Sequence, residues 1–313
     1  MKNIAIIIPA FNEEHTIKET ILDFFNLNKK FQIIVIDNNS NDNTNNIIKE
    51  TFLKYKINGT ILFEKRQGKA NAVRLAFHKI DADIYVLVDA DTTYKAKDLN
   101  AMIELVSNQN IDMVVGDRHL SGAYQRENKR YFHNFGNILV KKIINILFNT
   151  NLNDIMSGYR VMTKRFVKNY PILSKGFELE TEITLHALDK RFLIFEYGIT
   201  YVDRPAGSFS KLNTFIDGFK VLRTIIWIFK YYKPLHFFGF FSSLLFILSI
   251  YSAIPVINDY IINKYVYHVP LAILSTGLMI SSLLSLAIGL ILDSISRFHR
   301  FDFEQKILNY KNK

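Results

Sequence analysis

The sharpest chemistry in this sequence is Asp89-Ala90-Asp91, two carboxylates two residues apart at the end of an apolar run. Leaving a buried strand, such a pair can aim hard oxygen ligands at one divalent cation that also bridges a diphosphate. A second candidate is Gly68-Lys69, at the start of a helical pattern, where backbone amides and one ammonium suit a phosphate or a nucleotide ribose. Two further polar clusters, Pro9-Ala10-Phe11-Asn12-Glu13-Glu14 and Asp37 to Thr44, also follow apolar runs. Each group alone is a common turn or cap; their shared position after strand-like runs is what gives them weight. Other chemistries are excluded. The chain has no Cys, so it has no thiolate metal site, disulfide or Cys nucleophile. There is no G-x-G-x-x-G at the first crossover, which argues against a dinucleotide cofactor.

Groups placed this way need a scaffold that ends several strands at one edge. The β-branched and apolar runs at 4–9, 32–37, 60–65, 84–89 and 112–117 alternate with helical patterns around 13–27, 42–55, 69–79 and 97–108. Fully apolar strands alternating with helices predict a doubly wound, mostly parallel sheet covered on both faces, an α/β domain. Ligands of such folds bind beyond the carboxyl ends of the strands, where the polar clusters fall.

The 313 residues are 49% hydrophobic with a net charge of +10, and the apolar surplus is concentrated. Residues 235–257 and 269–292 carry no Asp, Glu, Lys or Arg, and each run exceeds the ~20 residues a helix needs to cross a bilayer. They predict a transmembrane hairpin with both ends on one side. Residues 204–313 hold 12 Lys or Arg against 5 Asp or Glu, and only Lys264 lies between the spans. The positive-inside rule then puts both termini and the soluble part in the cytoplasm, at the cell (inner) membrane. Anionic lipid headgroups account for the basic charge. Nucleic acid is not indicated, because no helix-turn-helix, zinc or RNA-recognition signature is present. Leu212, Phe215, Ile216, Phe219, Leu222, Ile226 and Phe229 recur at helical spacing, predicting an interfacial amphipathic helix over 211–233. The expected organisation is thus a cytoplasmic domain over 1–210, that helix, a membrane hairpin over 234–293 and a basic tail over 294–313. No signal peptide is expected, since IAIIIP is short and Asn12, Glu13 and Glu14 follow at once.

Taken in order, IPAFNEE (8–14), VIDNNSNDNT (35–44), RQGKANAVRLAF (66–77), VDAD (88–91), GDRHL (116–120), DIMSGYR (154–160) and RPAGSFSKL (204–212) resemble the inverting family-two nucleotide-sugar glycosyltransferases. Within them the chain is similar to the dolichol-phosphate mannose synthase and polyprenyl-phosphate glycosyltransferase branch, over about the first 233 residues. The resemblance implies that Pro9, Ala10, Asn12 and Glu14 line a nucleoside pocket, with Asp37 on the base or ribose and Lys69 close by. It makes Asp89 and Asp91 the pair that binds Mg or Mn and the donor diphosphate. Thr93 stands where relatives often carry a Gln, which leaves a third protein ligand open. Arg118 and Arg130, with Asn134 and Asn137 on one helix, would lie near an acceptor phosphate. Arg204, Ser208, Ser210 and Lys211 would close over the donor diphosphate or guide the acceptor, and Arg160 would join the acceptor side with Asp154 orienting it.

Physical chemistry agrees with that acceptor. A lipid monophosphate has a second pKa of about 6, so its oxygen is already ionised and needs no general base. It needs cations that overcome repulsion between two anions and hold them in line, a task suited to the bidentate fork of Arg. Asp91, Arg118, Arg130 and Arg204 are therefore the expected catalytic set for moving a hexose from a UDP- or GDP-sugar to polyprenyl phosphate. A transferase acting on a lipid or glycan hydroxyl is the rival, and it would need a base, with Glu178, Glu180 and Glu182 as candidates. A non-catalytic membrane scaffold that keeps a nucleotide-sugar pocket is the other. The partners expected are donor, lipid phosphate and bilayer, with a homo-oligomer left open.

Overall fold

The computed structural model describes residues 2–119, 131–174, 179–202, 223 and 225–311, without the side chains of 131–137 and 309–311. Contacts divide the chain into two compact units, Met1–Gly218 and Phe219–Lys313.

The first unit is built on a seven-stranded sheet of β1 (Ile4–Ala10), β2 (Gln32–Asp37), β3 (Gly59–Phe63), β4 (Ile84–Leu87), β5 (Met113–Asp117), β6 (Arg160–Thr163) and β7 (Ile194–Gly198), in the order β3-β2-β1-β4-β6-β5-β7. Strands β1 to β4 are parallel, and β6 runs antiparallel between β4 and β5. The expected α/β fold is present, with one difference: β6, only four residues long and polar at its start, gave no periodic signal and splits β4 from β5. Helices α1 (Ile17–Leu27), α2 (Thr44–Tyr55), α3 (Lys69–Lys79), α4 (Leu99–Asn108), α5 (Tyr131–Phe148), α6 (Lys164–Lys168) and α7 (Leu179–Asp189) surround it. Alternation along the strands sends Ile6, Ile8, Ile33, Val35 and Val86 into one core with Ile21 and Phe24 of α1 and Leu99 and Met102 of α4. Ala5, Ile7, Ile34 and Leu87 are buried too, so both faces of the sheet are covered.

The register decides where ligands can enter. Ala10 pairs with Asp37 at the ends of β1 and β2, whereas β1–β4 pairing stops at Ile7–Leu87. Val88 N still donates to Ile7 O (3.1 Å), but Pro9, two residues beyond Ile7, has no N–H to continue the ladder, and the chain of β4 turns away through Asp89.

Below the sheet, His186 of α7 is packed among Phe166, Tyr170 and Phe192, with ring centroids 5.0–6.1 Å away. Burial, aided by Lys190, pushes its pKa from 6.5 down to about 4. The unfolded chain takes up that proton near pH 6.5 and the folded chain only near 4, so stability is expected to fall as pH drops through this window. Melting curves of His186→Phe should lose this acid decline; an unchanged pH profile would mean another group causes it.

The second unit contains two helices long and apolar enough to cross a membrane, α8 (Pro234–Asn263) and α9 (Val269–Lys311), with windows of mean hydropathy 2.1 that are only 11% buried. At 1.5 Å per residue, the 30 residues of α8 reach about 45 Å, beyond a hydrocarbon core of about 30 Å. Phe240, Ile247, Ile273, Leu283 and Ile291 point outward, as lipid-facing side chains do and soluble-core helices do not. The inner faces meet through small residues. Ser282 Oγ donates to Ser242 O (2.9 Å), Ser249 Oγ to Ser275 O (2.8 Å) and Ser285 Oγ to Phe238 O (2.9 Å), while Gly289 leaves room for Phe238. Both helices outrun the expected spans: α8 continues through 258–263, and α9 carries the basic tail to Lys311 as continuous helix. Asp259 accepts from the backbone N–H of Tyr267 and of His268, tying the short turn at Lys264 to α8. Residues 225–232 are helical and Lys233 caps the start of α8; of 211–224 only Arg223 belongs to the described residues.

Candidate active site

The loops after β1 and β2 are laced to each other. Asn41 N donates to Asn12 Oδ1 (2.8 Å), Asn43 N to Glu14 Oε2 (3.0 Å), and Asn12 N to Ser40 Oγ (3.1 Å). Asn12 and Asn39 adopt left-handed backbone, φ 53° and 60°, which asparagine tolerates well. Asn12 and Glu14, expected to line a nucleoside pocket, thus spend side-chain oxygens on bracing the loop after β2. Asp37 is buried beneath, accepting from Ser40 N (3.0 Å) and Asn45 Nδ2 (2.8 Å), and organises the same loop. Pro9 and Ala10 are buried strand residues at its base. Asn38 reaches across to the next loop, accepting from Gly68 N (2.7 Å) and donating to Arg66 O (2.7 Å). That bond sets Gly68 at φ 122°, a conformation that suits glycine, directly before α3.

Lys69, the first residue of α3, meets the carboxylates of Asp89 and Glu180. Burial pushes its ammonium down, but the two carboxylates outweigh that and hold its pKa above the ordinary lysine value. Asp91 is buried, its Oδ1 accepting from Thr93 Oγ1 (2.6 Å) and Thr93 N (3.2 Å). Thr93 therefore orients Asp91 through its hydroxyl. Between them Thr92 sits at φ 62°, unfavourable for a β-branched residue and worth about 1–3 kcal/mol of strain. Among the described residues no three His, Cys, Asp or Glu converge as a metal cage. Two carboxylates in one loop fit a hard cation whose remaining ligands are phosphate oxygens and water.

The turn from Ser157 to Arg160 packs against Asp89. Gly158 lies so close to Asp89 that a Cβ would run into its carboxylate, and Gly158 N donates to the hydroxyl of Tyr94 (3.0 Å). Burial raises the Tyr94 pKa; Arg118 opposes the rise, and Asp89 and Asp154 add to it, so that hydroxyl lies within the field of all three. Arg118 is gripped by Asp154 through Nε–Oδ2 (2.7 Å) and Nη2–Oδ1 (2.9 Å), and stands 5.7 Å over the Tyr201 ring. Asp154 is itself fixed by its N–H donating to Glu196 Oε1 (2.7 Å). Gly158→Ala is expected to displace Asp89 and cut turnover by about 10²-fold, since misplacement near 1 Å costs that much, with little change in melting temperature. Full activity in that variant would show that Asp89 has room to move.

Two sequence expectations are corrected. Asp154 pairs with Arg118, not Arg160, because the turn separating them faces it toward β5. Arg160 is not an acceptor-phosphate ligand: it is fully buried and its guanidinium donates to Ser157 O, Ile155 O and Thr184 Oγ1, holding the turn from inside. The backbone of Asn134 and Asn137 lies on α5, their side chains outside the description; Arg130, Glu178, Arg204, Ser208, Ser210 and Lys211 also fall outside the described residues. Sequence reasoning missed Tyr94, which carries no motif signal, and Glu180 as the partner of Lys69, although the acids of GFELETEI mark the helix start that supplies it.

With this geometry in hand, the sequence profile of glycosyl transferase family 2 is found to match residues 5–170. The chain belongs to glycosyl transferase family 2. It is 26% identical over 302 residues to the glycosyltransferase AglJ of Haloferax volcanii, covering 95% of each chain. It is 28% identical over 242 residues to the UDP-N-acetylglucosamine–dolichyl-phosphate N-acetylglucosaminyltransferase of Methanococcus voltae, covering 72% of this chain and 95% of that one. A crystal structure of Mycobacterium tuberculosis glucosyl-3-phosphoglycerate synthase with Mn2+ and UDP-glucose is similar in fold, with a TM-score of 0.55, 17% identity, and coverage of 73% of this chain and 78% of that one. This protein is a glycosyltransferase with the fold of such enzymes, and it carries two helices suited to a membrane.

Proposed function

We propose that this family 2 enzyme is an inverting transferase that moves a hexose from a nucleotide diphosphate sugar to a polyprenyl phosphate at the cytoplasmic membrane face. The observation that carries the reading is Arg118, fixed bidentately by buried Asp154 and sharing the Tyr94 hydroxyl's surroundings with Asp89. Arg118 stands over Tyr201, whose ring meets that of Tyr94, and the Tyr94 hydroxyl accepts from Gly158, which packs on Asp89. A guanidinium suited to a phosphate monoester and a carboxylate suited to a cation-bound diphosphate are thus linked through one chain of contacts. The dolichyl-phosphate relative and the two apolar helices point the same way.

Asp89 and Asp91 would hold a divalent cation, Mg or Mn, whose chemistry is to neutralise the diphosphate leaving group. The chain's own residues do the rest. Arg118, oriented by Asp154, holds the lipid phosphate so that one of its oxygens attacks the anomeric carbon as the bond to the diphosphate breaks. No proton has to move. Arg130, Arg204, Ser210 and Lys211 would add positive charge and donors around the two anions. The loops after β1 and β2, with Asp37 and Lys69, receive the nucleoside and diphosphate. The hairpin and its flanking Lys and Arg keep the enzyme where a very apolar acceptor presents its headgroup, with both termini cytoplasmic.

Of the bases that a hydroxyl-acceptor reaction would call on, the two described ones, Glu180 and Glu182, are engaged within the fold. Glu180 is paired with Lys69, and Glu182 accepts from the N–H groups of Leu173 (2.9 Å) and Ser174 (3.0 Å). Incubating the full chain with undecaprenyl phosphate, Mg or Mn, and a panel of labelled UDP- and GDP-sugars is expected to give a lipid-extractable product from one donor. No labelled lipid across the panel would overturn the reading.

A further inference from the structure

Asp89 already carries a cation of the protein's own. Lys69 Nζ contacts Asp89 Oδ1 and also Glu180 Oε1, and its side chain is only 12% exposed. Asp89 cannot swing away to a second position on the side of the Ser157–Arg160 turn, because Gly158 is packed against it. The cation site as built from described residues therefore consists of Asp91 and a carboxylate that an ammonium neutralises, with no third acidic or imidazole ligand converging on it.

We propose that Lys69, tethered by Glu180, is a placeholder cation that occupies Asp89 in the donor-free enzyme and so makes divalent-cation binding depend on a nucleotide diphosphate. The proposal rests on the reading that Asp89 and Asp91 form the cation site. A divalent ion approaching the donor-free enzyme meets an ammonium of like charge and one carboxylate already paired with it. A diphosphate changes both terms: its oxygens complete the coordination of the ion, and its negative charge gives the ammonium a second place to rest. Glu180, on the first turn of α7, keeps Lys69 within the site once it leaves Asp89. Cation and donor are thereby coupled, and the coupling is reciprocal. Glu180 is a positioning residue in this scheme, acting through Lys69.

Titrating the full-length protein in detergent micelles with Mn2+, reading free ion by electron paramagnetic resonance, tests this alone and with UDP or GDP present. The wild type is expected to bind Mn2+ at least about tenfold more tightly with one of the nucleotides, within the usual range of such coupling. Lys69→Met should raise donor-free Mn2+ affinity by about tenfold and shrink the coupling, whereas Lys69→Arg, which keeps the charge, should behave as wild type. Glu180→Gln should weaken donor-free Mn2+ binding, because Lys69 then has Asp89 as its sole carboxylate partner; this opposite sign carries the test if Lys69→Met does not fold. Equal Mn2+ affinity with and without both nucleotides, or donor-free affinity unchanged in Lys69→Met or Glu180→Gln, overturns the proposal. The measurement involves no acceptor. Its failure therefore leaves transfer to a lipid phosphate standing, and a failure to make labelled lipid leaves the Mn2+ result standing.

Discussion

Asp91→Asn is expected to lower sugar transfer by about 10²–10³-fold, the usual loss when one preorganised electrostatic group at a reacting centre is removed, while the protein folds normally. Asparagine keeps the Oδ1 that accepts from Thr93 Oγ1 and N, and it keeps the volume of a nearly inaccessible side chain. The charge and one acceptor oxygen are lost. Asp91 lies two residues from Asp89 in the same loop, and its charge is the one this substitution removes from the pair. Steady-state turnover together with a melting curve checks the claim; activity within a factor of about three of wild type would remove Asp91 from the mechanism.

The largest effect on stability belongs to Asp154. Its side chain is 2% exposed and that of Arg118 13%, so Asp154→Ala leaves a buried guanidinium without its counter-charge, at a cost of about 3–5 kcal/mol. In a domain of this size that corresponds to a fall in melting temperature of roughly 6–20 °C. Replacing both partners, Arg118→Leu with Asp154→Leu, should recover most of the loss, because two apolar groups leave no orphaned charge. It should not recover transfer, since the guanidinium is gone. The pair also has a pH signature. Burial raises the Asp154 carboxyl, but Arg118 overrides this and holds it below 3.8. A depressed carboxyl contributes stability above its unfolded pKa that disappears as pH falls through the folded one, so this contribution is intact at neutral pH and lost only in strong acid. A double variant no more stable than Asp154→Ala would show that the pair is not the source of the effect.

The parts of this protein that follow periodic rules were readable in advance. Strands β1, β2 and β4 announce themselves as unbroken apolar runs because both of their faces are buried, and the polar loops that follow them fall at one edge because parallel strands end together. Helices α8 and α9 show in the same way, as apolar runs of the length and composition that crossing a bilayer requires. What could not be read is contact between segments distant in sequence. Asp154 lies six residues from Arg160 and 36 from Arg118, yet it pairs with the more distant one. Arg160 resembles a ligand by residue type, but the strand it begins puts it under the turn, where it serves the backbone. Glu180 and Lys69 are 111 positions apart, and only the docking of α7 against the start of α3 joins them. Tyr94 is invisible without its partners: a tyrosine in a loop until the N–H of Gly158 reaches it.

The central claim is that the nucleophile arrives already ionised, which makes a general base unnecessary. Supplying the purified full-length enzyme in bilayers with one labelled sugar nucleotide and either undecaprenyl phosphate or undecaprenol tests this most directly. The expected result is labelled lipid from the phosphate and none from the alcohol. Labelled lipid from undecaprenol, at a rate equal to or above that from the phosphate, would contradict the account.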